Sequence, residues 1–114
     1  MTRRHLIAAS IAALAFSASA ADQRLVDDVS RTDAGRIKRS YAQRAAFRSD
    51  WPCPSTGRRD GACPGGAVDH VIPLACGGVD APVNMQWLPR DAKRVKDAFE
   101  RQVYGGRGAS PGCM

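Results

Sequence analysis

The apolar positions change their period three times along the chain. Leu6 to Phe16 is an unbroken run of apolar and small residues behind the basic start at Arg3 and Arg4. Asp22 to Thr32 is polar and carries no sustained period. Ile37, Tyr41 and Ala45 then fall at i, i+4 and i+8, with Phe47 beside them and arginines on the remaining faces. This spacing predicts an amphipathic helix from a cap at Thr32 or Asp33 to about Arg48. Trp51-Pro52-Cys53-Pro54 stops it, because proline cannot continue a helix. Ser55 to Gly66 is a succession of turn dipeptides. Two short apolar runs, Ala67 to Ile72 and Val83 to Leu88, flank a loop and read as strands. Pro89 suits the first turn of a last helix, which runs to about Tyr104 with Ala92, Val95, Phe99 and Val103 as its apolar stripe. Gly105-Gly106 ends that helix.

The first apolar run is an address rather than part of the fold. A basic start, an apolar stretch and Ser17-Ala18-Ser19-Ala20 make the three-part pattern of a secretory signal peptide, with cleavage expected after Ala20. The stretch is well short of the ~20 residues that span a bilayer. The expected organisation is a signal peptide at 1–20, a flexible lead-in at 21–31 and one domain at 32–114. Of the 114 residues, 25% are charged and 44% apolar, as in a soluble globular domain. A multidomain enzyme, a coiled coil, a repeat array and a polytopic membrane protein are excluded.

Charge sharpens the picture because it is unevenly placed. The whole chain is +6. Arg31 to Arg59 holds eight basic residues against Asp33 and Asp50, whereas Asp60 to Pro89 holds three aspartates and no Lys or Arg. A second basic stretch begins at Arg90. Basic flanks around a mildly acidic centre suit a polyanion held about a metal-binding site, although solvated helix surface would give the same counts.

Cys53, Cys63, Cys76 and Cys113 all follow the signal segment. An even number in a short exported chain reads as two disulfides, and zinc is disfavoured because there is no C-x-x-C pair. Pairing Cys53 with Cys63 and Cys76 with Cys113 is the most natural of three connectivities, and the sequence alone does not fix it.

His70 is the only histidine after the signal segment. It stands within Asp69-His70-Val71-Ile72-Pro73-Leu74, followed by Gly77-Gly78 and then by Asn84-Met85-Gln86-Trp87-Leu88. This ordered pattern resembles the His-Asn-His (HNH) nuclease motif, over roughly Val68 to Phe99. The resemblance implies an α+β fold: a small ββα-metal hairpin-plus-helix unit, here preceded by a basic helix and stapled by disulfides. It implies a metal-dependent endonuclease that hydrolyses phosphodiester bonds of DNA, or of RNA; the signal segment separately places its expected action in the periplasm or outside the cell. The resemblance makes His70 the general base, Asn84 the residue that orients it, and Asp69 a ligand of a divalent ion. Mg²⁺ or Mn²⁺ is the first expectation for that ion, with Zn²⁺ or Ni²⁺ as alternatives.

The chemistry needs such groups independently of the family. A neutral imidazole takes a proton from water near neutral pH, and a cation stabilises charge on the phosphate. Gly77-Gly78 is read as the hairpin turn and a point of close phosphate approach. Val71, Ile72, Leu74, Met85, Trp87 and Leu88 are core candidates, with Gln86 a hydrogen-bond partner for the loop. Arg36, Arg39, Arg44 and Arg48 on the first helix, with Arg90 and Arg94, are candidate phosphate contacts.

The third motif position, a His or Asn nine residues after Asn84, is Lys93. An ammonium is a poor metal ligand, so three readings stay open. Asp91 or Asp97 replaces the lost ligand; or Lys93 grips the phosphate directly; or catalysis is lost and the domain only binds nucleic acid or another polyanion. A disulfide-stabilised interaction domain without the chemistry is the least favoured alternative. No stable membrane association is expected once the signal is removed, and an immunity or delivery partner is left unidentified.

Overall fold

The computed structural model describes residues 22–104 and Cys113. The signal segment and the Gly105-Gly106 stop lie outside the described residues. Helix α1 (Tyr41–Asp50) is followed by strand β1 (Gly66–His70), two 3₁₀ turns (Leu74–Cys76 and Pro82–Asn84), strand β2 (Met85–Pro89) and helix α2 (Arg90–Tyr104). The result is a small α+β fold with a two-stranded antiparallel sheet, two helices and two disulfides.

The first helix starts later than the apolar spacing predicts. Thr32 does not cap it; its hydroxyl accepts the Arg36 N–H within a tight turn that brings Arg31 opposite Ile37. The cap is Ser40, an extended residue whose Oγ accepts the Gln43 N–H at 3.2 Å. Arg36 and Arg39 therefore precede the helix rather than lie on it, and Tyr41 is exposed while Phe47 alone of the helix is buried.

β1 and β2 pair from Gly66 opposite Pro89 to His70 opposite Met85. Pro89 is the last strand residue rather than the first helical one, and α2 begins at once with Arg90, whose N–H donates to the Gly65 carbonyl at 3.0 Å. The loop between the strands explains its two glycines. Gly77 has φ +87°, which favours glycine. A Cβ at Gly78 would collide with the Ile72 carbonyl oxygen and stand 2.8 Å from the Asn84 amide nitrogen. The lead-in is laid against this loop, Val26 donating to Gly77 and Val79 to Arg24.

The core is small, and half-cystines form much of it. Phe47, Leu74, Met85, Cys53, Cys63 and Cys76 are its buried apolar residues. Cys53 is bonded to Cys63, and Cys76 to Cys113, so the most natural pairing is the one observed. Loop-closure entropy gives about 3 and about 4 kcal/mol for the two crosslinks, a large share of what so small a domain needs. Leu74 and Met85 are buried as expected, whereas Val71, Ile72, Trp87 and Leu88 are only half-buried. Trp87 packs on Phe47 at 6.0 Å, carries the Arg48 guanidinium at 5.4 Å over its ring and donates to the Trp51 carbonyl at 2.7 Å. It thereby joins α1 to the sheet.

Helix α2 is turned the other way from its apolar stripe. Val95, Phe99 and Val103 are exposed, and Lys93, Lys96, Asp97 and Glu100 occupy the half-buried face. These four stand at i, i+3, i+4 and i+7, a polar stripe of helical period. What draws it inward is a buried carboxylate on β1.

Candidate active site

Asp69 and His70 are consecutive residues at the end of an extended strand, so their side chains leave it in different directions. Asp69 is 2% exposed. Its carboxylate accepts from Gln86 Nε2 at 3.0 Å, from Lys93 Nζ at 3.4 Å and from Lys96 Nζ at 3.2 Å. Gln86 thus serves the carboxylate rather than the loop. A buried charge is tolerated when it is paired and hydrogen-bonded, and this one has two ammoniums and an amide.

Both lysines have further partners. Lys93 donates to Asp97 at 3.0 Å. Lys96 donates to the His70 carbonyl at 2.9 Å and to Glu100. Burial pulls the Lys96 pKa down, but its hydrogen bonds to Glu100 and Asp69 outweigh that and leave the pKa raised. Lys96 is a fixed cation rather than a proton acceptor.

His70 has a different partner. Its Nε2 lies 2.9 Å from Asp80 Oδ1. A carboxylate can only accept, so Nε2 carries the proton and Nδ1 is the basic nitrogen of the neutral ring. Asp80 is fixed in turn, because its other oxygen accepts the Ser40 N–H at 2.5 Å, at the cap of α1. One carboxylate therefore ties the imidazole to the first helix.

Asn84 holds the loop from which both arrangements hang. It is wholly buried. Its Oδ1 accepts the Ile72 N–H at 2.9 Å, and its Nδ2 donates to the carbonyls of Ile72 at 2.9 Å and Val79 at 3.0 Å. It fixes the segment between His70 and Asp80 without touching either side chain.

His70 and Asp69 border an open cleft of about 480 Å³, whose walls also carry Arg39, Lys93, Asp97 and Arg101. A smaller cleft, which His70 and Arg39 also border, is lined by Asp80 and Arg44. Of the candidate phosphate contacts, Lys93, Arg39 and Arg44 thus stand beside the histidine. Arg48 is committed elsewhere: it lies over Trp87 and donates to the Gly61 carbonyl at 2.7 Å. Arg36 and Arg90 are exposed and border neither cleft, and Arg94 pairs with Asp91 at 3.7 Å.

The candidate metal ligands are not gathered. Asp91 is on the exposed side of α2, its side chain 94% accessible. Asp97 is close to Asp69 only through the shared Lys93. Among the described residues there is no group of three or more His, Cys, Asp or Glu side chains placed to hold a metal ion. A divalent ion on Asp69 would meet two ammoniums, so this donor set does not fit one.

Four participants escape the motif: Asp80, Lys96, Glu100 and Arg101. Asp80 offers the sequence one signal, an acid two residues beyond Gly77-Gly78 in a loop free of Lys and Arg. Lys96 and Glu100 show only as members of the polar stripe on α2. Neither the family models nor the curated proteins nor the solved structures compared with this chain include a match.

Proposed function

We propose that this chain is an exported endonuclease of the HNH kind that hydrolyses phosphodiester bonds of DNA, or of RNA, with His70 as general base. The observation that carries the reading is His70, paired with Asp80 at 2.9 Å, on the edge of a cleft walled by Arg39, Arg101 and Lys93. Asp80 holds the tautomer in which Nδ1 is free to take a proton, and the cations suit a phosphate. Water gives its proton to Nδ1 as its oxygen bonds to phosphorus. The ester P–O bond opposite breaks, and the leaving oxygen takes a proton from solvent. Asn84 acts at one remove, by fixing the loop that carries the pair.

Location follows the same reading. Two disulfides fit an oxidising extracellular compartment, and no helix among the described residues is long and apolar enough to cross a membrane. The periplasm or the medium is the proposed site of action, after removal of residues 1–20.

One observation favours a second reading, a nucleic-acid-binding module without catalysis. Asp69 is neutralised by Lys93 and Lys96 instead of being left open for a metal. Incubating the oxidised protein with supercoiled plasmid, with Mg²⁺, Mn²⁺, Zn²⁺ or EDTA, separates the two. Nicking in any of the four supports the nuclease; retarded but uncut plasmid in all four establishes the binding module.

A further inference from the structure

The cleft contains its own cations in the place where a metal would act, and they differ in how many of their donors are already used. Lys96 has three N–H groups and three sets of partners: Asp69, the His70 carbonyl and Glu100. Lys93 has two partners, Asp69 and Asp97, and one N–H to spare. Arg39 and Arg101, on the walls of the same cleft, have no side-chain hydrogen bond or ion pair among the described residues. Two ammoniums against three carboxylates leave the inner network at −1, and the two guanidiniums carry the cleft to +1. That is the charge a phosphodiester monoanion needs.

Resting on the nuclease reading of this cleft, we infer that it is a metal-independent phosphate site in which Arg39, Arg101 and the spare N–H of Lys93 hold the diester. Lys96 is the internal counter-ion that keeps Asp69 ionised and buried. The guanidiniums reach a phosphate with paired N–H groups, and Lys93 adds a point charge beside His70. A divalent ion is redundant here, because the charge it would supply is built into α2 and into the residue before the α1 cap.

The test is binding of a short labelled DNA duplex, followed by fluorescence anisotropy across a salt series in EDTA and again in Mg²⁺, with cleavage of the same duplex measured in parallel. The inference expects affinity in EDTA at least as high as in Mg²⁺, which acts here only as a competing counter-ion of the DNA. It expects Arg39→Gln and Arg101→Gln each to lower the slope of log K against log salt by about 0.9 in EDTA. Neither residue has a side-chain partner to lose among the described residues, so both variants should fold as the parent does. Lys93→Gln should weaken binding in the same way if its fold is retained. Binding that appears only with Mg²⁺, or slopes unmoved in both arginine variants, overturns the inference, and cleavage under Mg²⁺ would then leave the nuclease reading standing. Affinity that survives EDTA and falls with the arginines, without cleavage in either buffer, upholds the phosphate site and removes the nuclease.

Discussion

The two neighbours at the end of β1 show how one strand serves two purposes. Asp69 turns beneath α2, where two lysines and Gln86 enclose it. His70 turns toward the cap of α1, where it meets a single carboxylate, Asp80, that the Ser40 N–H pins. The first environment is a dense network of two ammoniums and three carboxylates in which Asp69 is fully enclosed and Lys93 keeps one N–H to spare. The second is a single oriented hydrogen bond that leaves one ring nitrogen basic. Enclosed groups fix structure and resist change; an incompletely satisfied group beside a cleft is what chemistry requires. Charge balance around Asp69 and the proposed grip on phosphate belong to the α2 side of the strand and proton transfer to the α1 side, and substitutions on each side can break that division.

The largest effect is expected at His70. Replacing it with Ala should lower plasmid cleavage by ~10²–10⁴-fold, the range general-base catalysis supplies. The melting temperature should shift little, because Asp80 is open enough for water to take the place of the ring. Full cleavage by this variant would remove His70 from the chemistry, and an unfolded variant would move it to the structural side of the comparison.

Asn84→Ala should act on both sides at once. It strips partners from the Ile72 N–H and from the carbonyls of Ile72 and Val79, in a spot no water reaches. At ~1–3 kcal/mol for each buried group left unsatisfied, the loss should be a few kcal/mol and visible as a large drop in melting temperature. A thermally unaltered variant would mean that the loop is held by its glycine turn and the Cys76–Cys113 bond instead.

Asp80→Asn isolates the α1 side. The Ser40 N–H needs an acceptor, so the amide must present its oxygen there and its NH₂ to His70 Nε2. That donor forces the ring proton onto Nδ1 and takes away the base. Cleavage should fall about ten- to a hundred-fold in kcat, less than in a fully buried triad, with KM for DNA held. Asp80→Glu should recover part of the rate. Equal losses in both variants, or a change in KM alone, would make the carboxylate a spacer between loop and helix.

The legible parts of this molecule are those where local chemistry is decisive. Pro52 and Pro54 mark the end of α1, the strands stand within two residues of their apolar runs, and the cysteines pair in their simplest order. The start of α1 was also written in the chain, as Ser40 followed three residues later by Gln43, but the period through Ile37 and Tyr41 reads as stronger. Thr32 carries the same cap chemistry and spends it on the turn at Gly35 instead. The orientation of α2 is not local at all. Its apolar and polar stripes are equally periodic, and only a buried Asp69 on another element decides which faces inward. The partner of His70 is hidden for the same reason, since Asp80 is ten residues away and reaches it through loop geometry that Asn84 imposes.

The smallest effect is expected at Asp91, and its smallness is informative. The sequence offers Asp91 and Asp97 as alternative replacements for the ligand expected at position 93, yet the helix sends them to different faces. Asp97 shares Lys93 with Asp69, whereas among the described residues Asp91 meets only Arg94, at 3.7 Å with both side chains exposed. Two residues along a helix is a rotation of about 200°, so no side-chain rotamer brings Asp91 back to the cleft. Asp91→Ala should leave cleavage unchanged at every metal concentration and in EDTA, and should move stability by no more than ~0.5 kcal/mol. Asp97→Ala, by contrast, frees a second N–H on Lys93 and should tighten DNA binding by removing a competing acceptor. A metal-dependent loss of cleavage in the Asp91 variant would place an ion on the outer face of α2, and the division of labour across β1 would have to be drawn again.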